Sequence, residues 1–478
     1  MQDKYDVVVG LEIHCQMNTK TKLFCGCSND SQSVKPNTNT CPVCMGFPGQ
    51  LPVVNKSAIT KGIKAGLALG CEISEVSVFD RKSYFYPDSP KGYQITQQFR
   101  PITKKGKVTI ETEDGLKDVG IHHMHLEGDA GKLTHETTGS LVDFNRSDTP
   151  LMEIVSEPEM NGVKEASAYA REVQRIMRYS KTSNADMEKG MMRFDINVSL
   201  KPKGQKELGT KVEVKNLNSF SSLEKALAYE IKRQAKELDA GNAIYQETRG
   251  YDDAKQITIG QRSKESAQDY RYFPEPDIPP LSHSKELVEE IRLEVGELPI
   301  QKRQKYREYG ISEDEVFTLS NTLEMAEYFE EALQISNDPK RTCSLLTTVL
   351  LKKLADKNLD IQESPVSAAK LGTIVKLINE EVISFNIAKG KLMELAFETG
   401  ESVEALIEKH NLKQVIDESL LESVCQKAID SNQKAADDVR QGNHKAVGAL
   451  VGFCMKESKG QLNPAHISKK LMQMLAEK

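Results

Sequence analysis

The sequence predicts an α+β protein: a β-rich front portion carrying a four-cysteine knuckle, followed by helices alone. Stretches in which apolar and polar residues alternate with period two are concentrated before residue 220, the pattern of strands buried on one face. From about Ser284 onward the alternation disappears and Glu/Lys/Leu/Ala helices dominate. Cys25-Gly26-Cys27 and Cys41-Pro42-Val43-Cys44 form two close pairs spaced C-x-C-x13-C-x2-C, able to converge four thiolates tetrahedrally on a structural zinc ion with no open coordination position.

The chain has 478 residues, 28% charged and 38% hydrophobic, a soluble globular composition too long for one core and suited to two to four domains. The N-terminal Met1–Asp6 lacks the basic flank and apolar stretch of a secretory signal, and no run of about eighteen apolar residues reads as a spanning helix. Nine cysteines, an odd number with four clustered, suit a reduced compartment; a cytoplasmic protein is expected. The net charge is −6, yet residues 431–478 carry eight Lys/Arg and four Asp/Glu. A basic tail on an acidic body points toward a polyanionic partner.

In chain order, Val7–Met17 is the first strand, with Leu11, Ile13 and Cys15 on the core side and Glu12, His14 and Gln16 on the other. The loop Ser28–Thr40 between the cysteine pairs is polar and turn-forming. Ser57–Leu69 is a short helix. Arg81–Tyr93 combines aromatics, prolines and cations and reads as a surface loop, with stacking faces and phosphate contacts suited to a nucleotide or an RNA end; a rigid Pro-turn with buried aromatics is the structural alternative. Residues 107–135 read as a hairpin turning at Asp114-Gly115. His123, His125 and Glu127 alternate with Met124 and Leu126, and Glu153 lies inside the apolar run Thr149–Val155. A carboxylate so placed requires a cation or a metal. Glu12, His14, Glu127 and Glu153, from separate strands, are therefore candidates for a hard-cation site, with magnesium favoured alongside substrate phosphates.

Lys164–Tyr179 is a helix. Met192–Leu200 and Gly209–Phe220 read as an antiparallel pair with the polar row Arg193, Asp195, Asn197, Glu213 and Lys215, followed by the helix Leu223–Leu238. Asp269–Pro280 is a rigid extended segment. Glu297-Leu298-Pro299 punctuates the start of the helical region, and Gly400 with Asn411–Asp417 marks another boundary. Asn463-Pro464 caps a last helix with the stripe Ile467, Leu471, Met474 and Leu475. Gly128–Thr134 mimics a phosphate loop but fails it, since Leu126 and Leu133 stand where Gly and Ser/Thr are needed.

These segments together resemble the GatB family, the B component of the tRNA-dependent amidotransferase GatCAB. The resemblance spans the chain. It rests on Val9–His14, Pro48-Gly49, Leu51–Lys56, Tyr84–Asp88 with Pro90–Ile95, Asp129–Lys132, Thr149–Glu153, Val214–Phe220 and Asp269–Pro274. The length leaves no room for the synthetase-like insertion of the archaeal GatE relative, so the bacterial or organellar type is implied. The resemblance implies a cradle domain (1–292), a helical domain (293–405) and a YqeY-like tail (406–478) that holds the tRNA body. It further implies ATP-dependent phosphorylation of the side-chain carboxylate of Glu-tRNA(Gln) or Asp-tRNA(Asn). Amidation follows, with ammonia from the glutaminase GatA, in a heterotrimer that includes GatC. The family's magnesium site maps onto Glu12, His14, Glu127 and Glu153, and zinc-bearing members match Cys25, Cys27, Cys41 and Cys44. Lys82, Lys91 and Arg193 are assigned to phosphate by charge and location. Two departures stand out: members carry two acids before Asp-Ala-Gly-Lys where Glu127-Gly128 supplies one, and Phe194 replaces small or thiol side chains. A zinc-knuckle RNA-binding protein without catalysis would leave Glu12, His14 and Glu153 without purpose. A stand-alone carboxylate-activating ligase would need a nucleotide-binding signature, and none is found.

Overall fold

The computed structural model describes residues 4–263, 269–414, 418–458 and 462–476. The chain divides into two compact units, residues 1–301 and 302–478. The elements of the first are β1 (Tyr5–Gln16), α1 (Lys56–Ala68), β2 (Val76–Ser77), β3 (Asp80–Ser83), β4 (Tyr93–Thr96), β5 (Gly106–Thr112), β6 (Gly115–Gly128), β7 (Lys132–Glu136), β8 (Gly139–Asp143), β9 (Pro150–Ser156), α2 (Val163–Tyr179), β10 (Met192–Pro202), β11 (Val212–Leu217), α3 (Phe220–Asp239), β12 (Glu247–Asp252), β13 (Ile257–Ser263), β14 (Phe273–Pro274), β15 (Leu281–Ser282) and α4 (Lys285–Leu293). Eight strands form one sheet in the order β13-β12-β11-β10-β1-β9-β6-β5. Every neighbouring pair is antiparallel except β11 and β12.

The alternation read from the sequence sets the two faces of this sheet. Leu11, Ile13 and Cys15 of β1 are buried, and they share one core with Met152 and Ile154 of β9, Phe194, Ile196 and Val198 of β10, Tyr169 and Val173 of α2, and Leu223 and Leu227 of α3. Each such side chain contributes about 1.5–3 kcal/mol when buried. The helices cover this apolar face. Phe194 is fully buried, its ring 5.4 Å from that of Phe220.

Two expectations are refined. The hairpin turns at Asp114-Gly115, with Gly115 at φ 110, but β6 ends at Gly128, and residues from Lys132 pair instead with Gly139–Asp143 in a separate hairpin. Arg81–Tyr93 is not wholly a surface loop. Lys82 lies opposite Gln94 in the β3–β4 pair, and β14 adds to β3 through Phe273 opposite Arg81. The cause is electrostatic as well as backbone pairing: Arg81 donates to Glu275 at 2.7 and 3.0 Å and to Asp277 at 3.0 Å.

In the second unit the regular elements of the described residues are helices. The helix Pro299–Glu308 begins just before the division, and Gly400, at φ 68, ends the helix Met393–Thr399. Of the expected boundary segment Asn411–Asp417, residues 415–417 lie outside the described residues. The last helix, Pro464–Ala476, is capped by Asn463, whose side-chain oxygen accepts from the Ala465 amide at 2.9 Å. Ile467, Leu471 and Leu475 pack into a core with Val424, Ala428, Leu450 and Cys454. Among the described residues no helix is long and apolar enough to cross a membrane.

The edge strands β12 and β13 are tied to α3 through fully buried Glu230. It accepts from Arg233 at 2.5 Å and Thr258 at 2.8 Å, and lies 3.4 Å from Arg249. Glu230→Ala removes the buried anion of two guanidinium groups and leaves them only Glu247, 3.3 Å from Arg233 and 2.8 Å from Arg249; it is expected to lower the unfolding free energy by about 1–3 kcal/mol. Denaturant unfolding checks this; an unshifted midpoint would show that the network adds nothing to the fold.

Candidate functional site

The polar face of the sheet is organised by register. β1 runs between β9 and β10, so His14 lies opposite Glu153 on one side and opposite Arg193 on the other. Glu153 in turn lies opposite His125 of β6. One row, His125–Glu153–His14–Arg193, thus crosses four adjacent strands. Glu153 Oε2 is 3.3 Å from His14 Nε2 and 3.4 Å from His125 Nε2. Glu127, on the same face of β6 as His125, places Oε2 at 3.8 Å from His125 Nε2 and at 3.3 Å from the Thr96 hydroxyl, which donates to it.

Of the four predicted hard-cation ligands, His14, Glu127 and Glu153 bring donor atoms within 4.8 Å of one another. Glu12 belongs to an adjacent group with Asp195, its partner across the β1–β10 pair, and Glu213, again within 4.8 Å. Asn197 donates to Glu12 at 2.8 Å. Asp195, Asn197 and Glu213 come from the polar row expected on β10 and β11, although the sequence did not connect them with Glu12. His125 was visible as a ligand-type residue beside Glu127, but not as the bridge between Glu127 and Glu153.

Burial and charge compete at each of these groups. Burial opposes ionisation of Glu153, but the charges and hydrogen bonds of His125 and His14 hold its carboxyl well below the usual range. Burial likewise opposes protonation of His125, and Glu153 and Glu127 reverse this, raising it to about 10. His123, whose Nε2 is 3.2 Å from His125 Nδ1, is lowered to about 4 by burial and by its two histidine neighbours. Glu12 is raised, by burial first and then by Glu153.

A cavity of about 330 Å³ opens over this face. The three cations expected at phosphate all line it, on different terms. Lys91 is chelated by Asp148, Nζ lying 2.5 and 2.7 Å from its two oxygens. Arg193 is 3.7 Å from Asp129. Among the described residues Lys82 alone of the three has no carboxylate at ion-pair distance; its ammonium lies over the Tyr270 ring at 4.7 Å. Burial opposes the Lys82 charge, but Glu127 and neighbouring groups raise its pKa.

The four cysteines converge beside this cavity. Their sulfur atoms lie within 4.8 Å of one another, and all nine cysteines are free thiols. The first pair is shaped by a turn in which the Lys22 amide donates to the Cys27 carbonyl at 2.9 Å. In the second, the Gly46 amide donates to the Val43 carbonyl at 3.0 Å, and Gly46 takes φ 69, open to glycine without strain. The Cys41 amide donates to Cys44 Sγ at 3.2 Å. Lys22 is fully buried, its ammonium bonded to the Asn39 and Phe144 carbonyls at 3.0 and 3.4 Å and 3.7 Å from Cys44 Sγ. A hydrogen bond from Cys25 outweighs burial and, with the Cys41 amide and Lys22, holds the Cys44 thiol well below its ordinary range. Four thiols with a buried counter-cation fit a metal ion, since the donors must ionise to bind one.

Two family models match the chain, the GatB/GatE catalytic domain over residues 7–289 and the GatB domain over residues 327–475. The chain is 44% identical over 476 residues to the aspartyl/glutamyl-tRNA(Asn/Gln) amidotransferase B subunit of Caldanaerobacter subterraneus subsp. tengcongensis, covering 99% of this chain and 100% of that one. Proteins of the same name from Persephonella marina, over 474 residues, and Thermotoga maritima, over 481, are each 44% identical, covering 99% of this chain and 100% and 99% of theirs. The cavity row and the cysteine cluster lie inside the first matched region.

The two layers of the cysteine cluster are separable by metal analysis of the purified protein. Cys44→Ser removes a donor and is expected to abolish retention of metal through gel filtration. Lys22→Met leaves all four sulfur donors but removes the counter-cation with its bonds to the Asn39 and Phe144 carbonyls, and is expected to weaken retention against a chelator about 10–100-fold. Equal metal content in all three proteins would exclude the cluster as a metal site.

Proposed function

Because the chain belongs to the GatB/GatE amidotransferase family, we propose that it is the GatB component of an aspartyl/glutamyl-tRNA(Asn/Gln) amidotransferase. It phosphorylates the side-chain carboxylate of Glu-tRNA(Gln) or Asp-tRNA(Asn) with ATP, then amidates it. The observation that carries this reading is the row His125–Glu153–His14–Arg193 on the floor of a polar cavity, in a chain similar to such proteins over its whole length.

A carboxylate is a poor electrophile, and its phosphoryl ester a good one. In the first step a carboxylate oxygen of the substrate forms a bond to the γ-phosphorus of ATP, and the bond to ADP breaks. Two anions must meet, so charge neutralisation and positioning supply most of the rate. His14, Glu127 and Glu153, with Glu12 from the neighbouring group, are the residues we assign to magnesium. Buried His14 Nδ1 has no hydrogen-bond partner among the described residues, and an imidazole beside carboxylates is a donor set that a divalent cation accepts. Magnesium, when bound, draws charge from the phosphate oxygens. To Lys82, with no carboxylate at ion-pair distance among the described residues, and Arg193, at the end of the row, we assign the transferring phosphoryl group. Lys91 shapes the wall while bound to Asp148. In the second step ammonia delivered by GatA attacks the activated carbonyl carbon; the C–O bond to phosphate breaks, phosphate leaves with the electron pair, and the nitrogen sheds a proton.

The cysteine cluster is read as a structural zinc knuckle. The glutaminase GatA and the small protein GatC complete a heterotrimer. The chain is read as a cradle (1–292), a helical domain (293–405) and a YqeY-like tail (406–478). The core gathered from Val424 to Leu475 and the basic balance of residues 431–478 support a tail that holds the tRNA body.

Co-expressed with GatA and GatC and supplied with Glu-tRNA(Gln), ATP, magnesium and glutamine, the protein is expected to form Gln-tRNA. Glu153→Gln is expected to lower that rate about 100-fold or more while the glutaminase activity of GatA survives. No product from any misacylated tRNA would overturn the activity. Full activity in Glu153→Gln would instead discard this metal site.

A further inference from the structure

We propose that Asp148 is a positioning residue of the activation site. Its carboxylate fills a place that a side chain at residue 128 would otherwise take, and the acid in that place fixes Lys91 on the cavity wall. The consequence for catalysis rests on the activity proposed above; the shared place rests on packing alone.

Asp148 and Lys91 are both nearly enclosed, with side chains 4% and 8% exposed. The Asp148 backbone is held from two sides. Its amide donates to the Asp129 carbonyl at 2.9 Å, and its carbonyl accepts from the Leu23 amide at 2.9 Å. It takes φ 61, a left-handed conformation in which glycine is the least strained residue. Aspartate is among the few non-glycine residues that adopt it readily, and here the ammonium of Lys91 fixes its carboxylate.

Gly128, the last residue of β6, faces the same spot. A Cβ added to it would stand 2.7 Å from Asp148 Oδ1 and 3.3 Å from both Asp148 Cα and Phe24 Cε2. Asp148 as it stands therefore excludes any side chain at 128. The contested oxygen is the one that Lys91 Nζ approaches at 2.5 Å, so a glutamate rooted at 128, with residue 148 reduced to glycine, reaches the same ammonium. With Asp148 in its present rotamer, an acid is accommodated at 128 or at 148 but not at both.

Lys91 links two features. Its stem lies against Gly46, where an added Cβ would meet Lys91 Cγ at 2.5 Å and Cα at 3.1 Å, and Gly46 closes the second cysteine turn. Its ammonium lies 5.8 Å from the Phe24 ring and 5.9 Å from the Tyr93 ring. Without its anion this ammonium is buried unpaired, and the segment between β3 and β4 must shift to hydrate it.

The test is a cycle of four full-length proteins: wild type, Asp148→Gly, Gly128→Glu and the double variant. Each is measured for its thermal midpoint and, assembled with GatA and GatC, for KM and kcat toward ATP in tRNA-dependent amidation. Asp148→Gly is expected to lower the midpoint and raise KM about tenfold. Gly128→Glu alone, overpacked against Asp148, is expected to do the same. The double variant is expected to regain both, its KM returning to within roughly threefold of wild type, because changes at residues in contact do not add. A double variant as impaired as its two single changes combined overturns the shared place. Recovery of the midpoint without recovery of KM overturns the positioning role. If the wild-type complex makes no amidated tRNA, the activity reading fails on its own, and the midpoints alone support or overturn the shared place.

Discussion

The structure depends on the register of β1 between β9 and β10. Leu11, Ile13 and Cys15 are locked into the core, and the Ser156 hydroxyl accepts from the Leu11 amide at 2.9 Å. Since side chains alternate along a strand, a slip of one residue would turn this apolar set outward and carry Glu12 and His14 into the core. The burial that stabilises the first unit is therefore the same constraint that brings His14 to Glu153 and Arg193. Fold and site share one register, and neither is adjustable without the other.

That constraint explains how so much charge is held in one place. Glu153 lies between two imidazoles, and the ends of the row are answered by Glu127 at His125 and by Asp129 at Arg193. Nearby, Lys215 pairs with Glu213 at 2.8 Å and Asp195 at 3.3 Å. Buried ion pairs seldom stabilise a fold more than packed apolar residues would. Retaining this many on one sheet face makes physical sense where their field acts on a bound anion. Glu230 is the opposite case: there a buried carboxylate joins a helix to two strands at the far edge of the sheet, and its partners are fully accounted for by structure.

Most of the sheet was legible because period-two alternation states which face is buried. His14, Glu127 and Glu153 followed from it, as did the polar row on β10 and β11. What alternation does not contain is which residue lies opposite which. Glu12 and His14 share a face, yet Glu12 is grouped with Asp195 and Glu213 because β10, rather than β9, supplies its polar partner. His125 lies opposite Glu153 because the β6–β9 register shifts by one residue between Ile121 and His123; the register of Ile121 with Ser156, continued, would set Met124 there, and the irregularity has no local sequence signal. Arg81–Tyr93 resembled a surface loop because its pairing with Phe273 and its ion pair with Glu275 come from almost two hundred residues away.

The cysteine cluster closes the same sequence of dependences from the other side. Lys22, buried among carbonyls and a thiol, ties the first cysteine turn to Asn39 and Phe144, while the Ser147 hydroxyl donates to the Cys44 carbonyl at 3.3 Å. Asp148 follows directly and grips Lys91, whose stem is pressed by Gly46 of the second turn. The cluster is thus joined to the cavity wall by short, nearly buried links, while the wall's other side is the strand pair that carries Lys82. Preorganised charge lowers a barrier only if its frame does not relax when the reacting anions arrive. Four cysteines converge where the sheet itself ends and only loops remain, and a metal ion held by them would supply that stiffness.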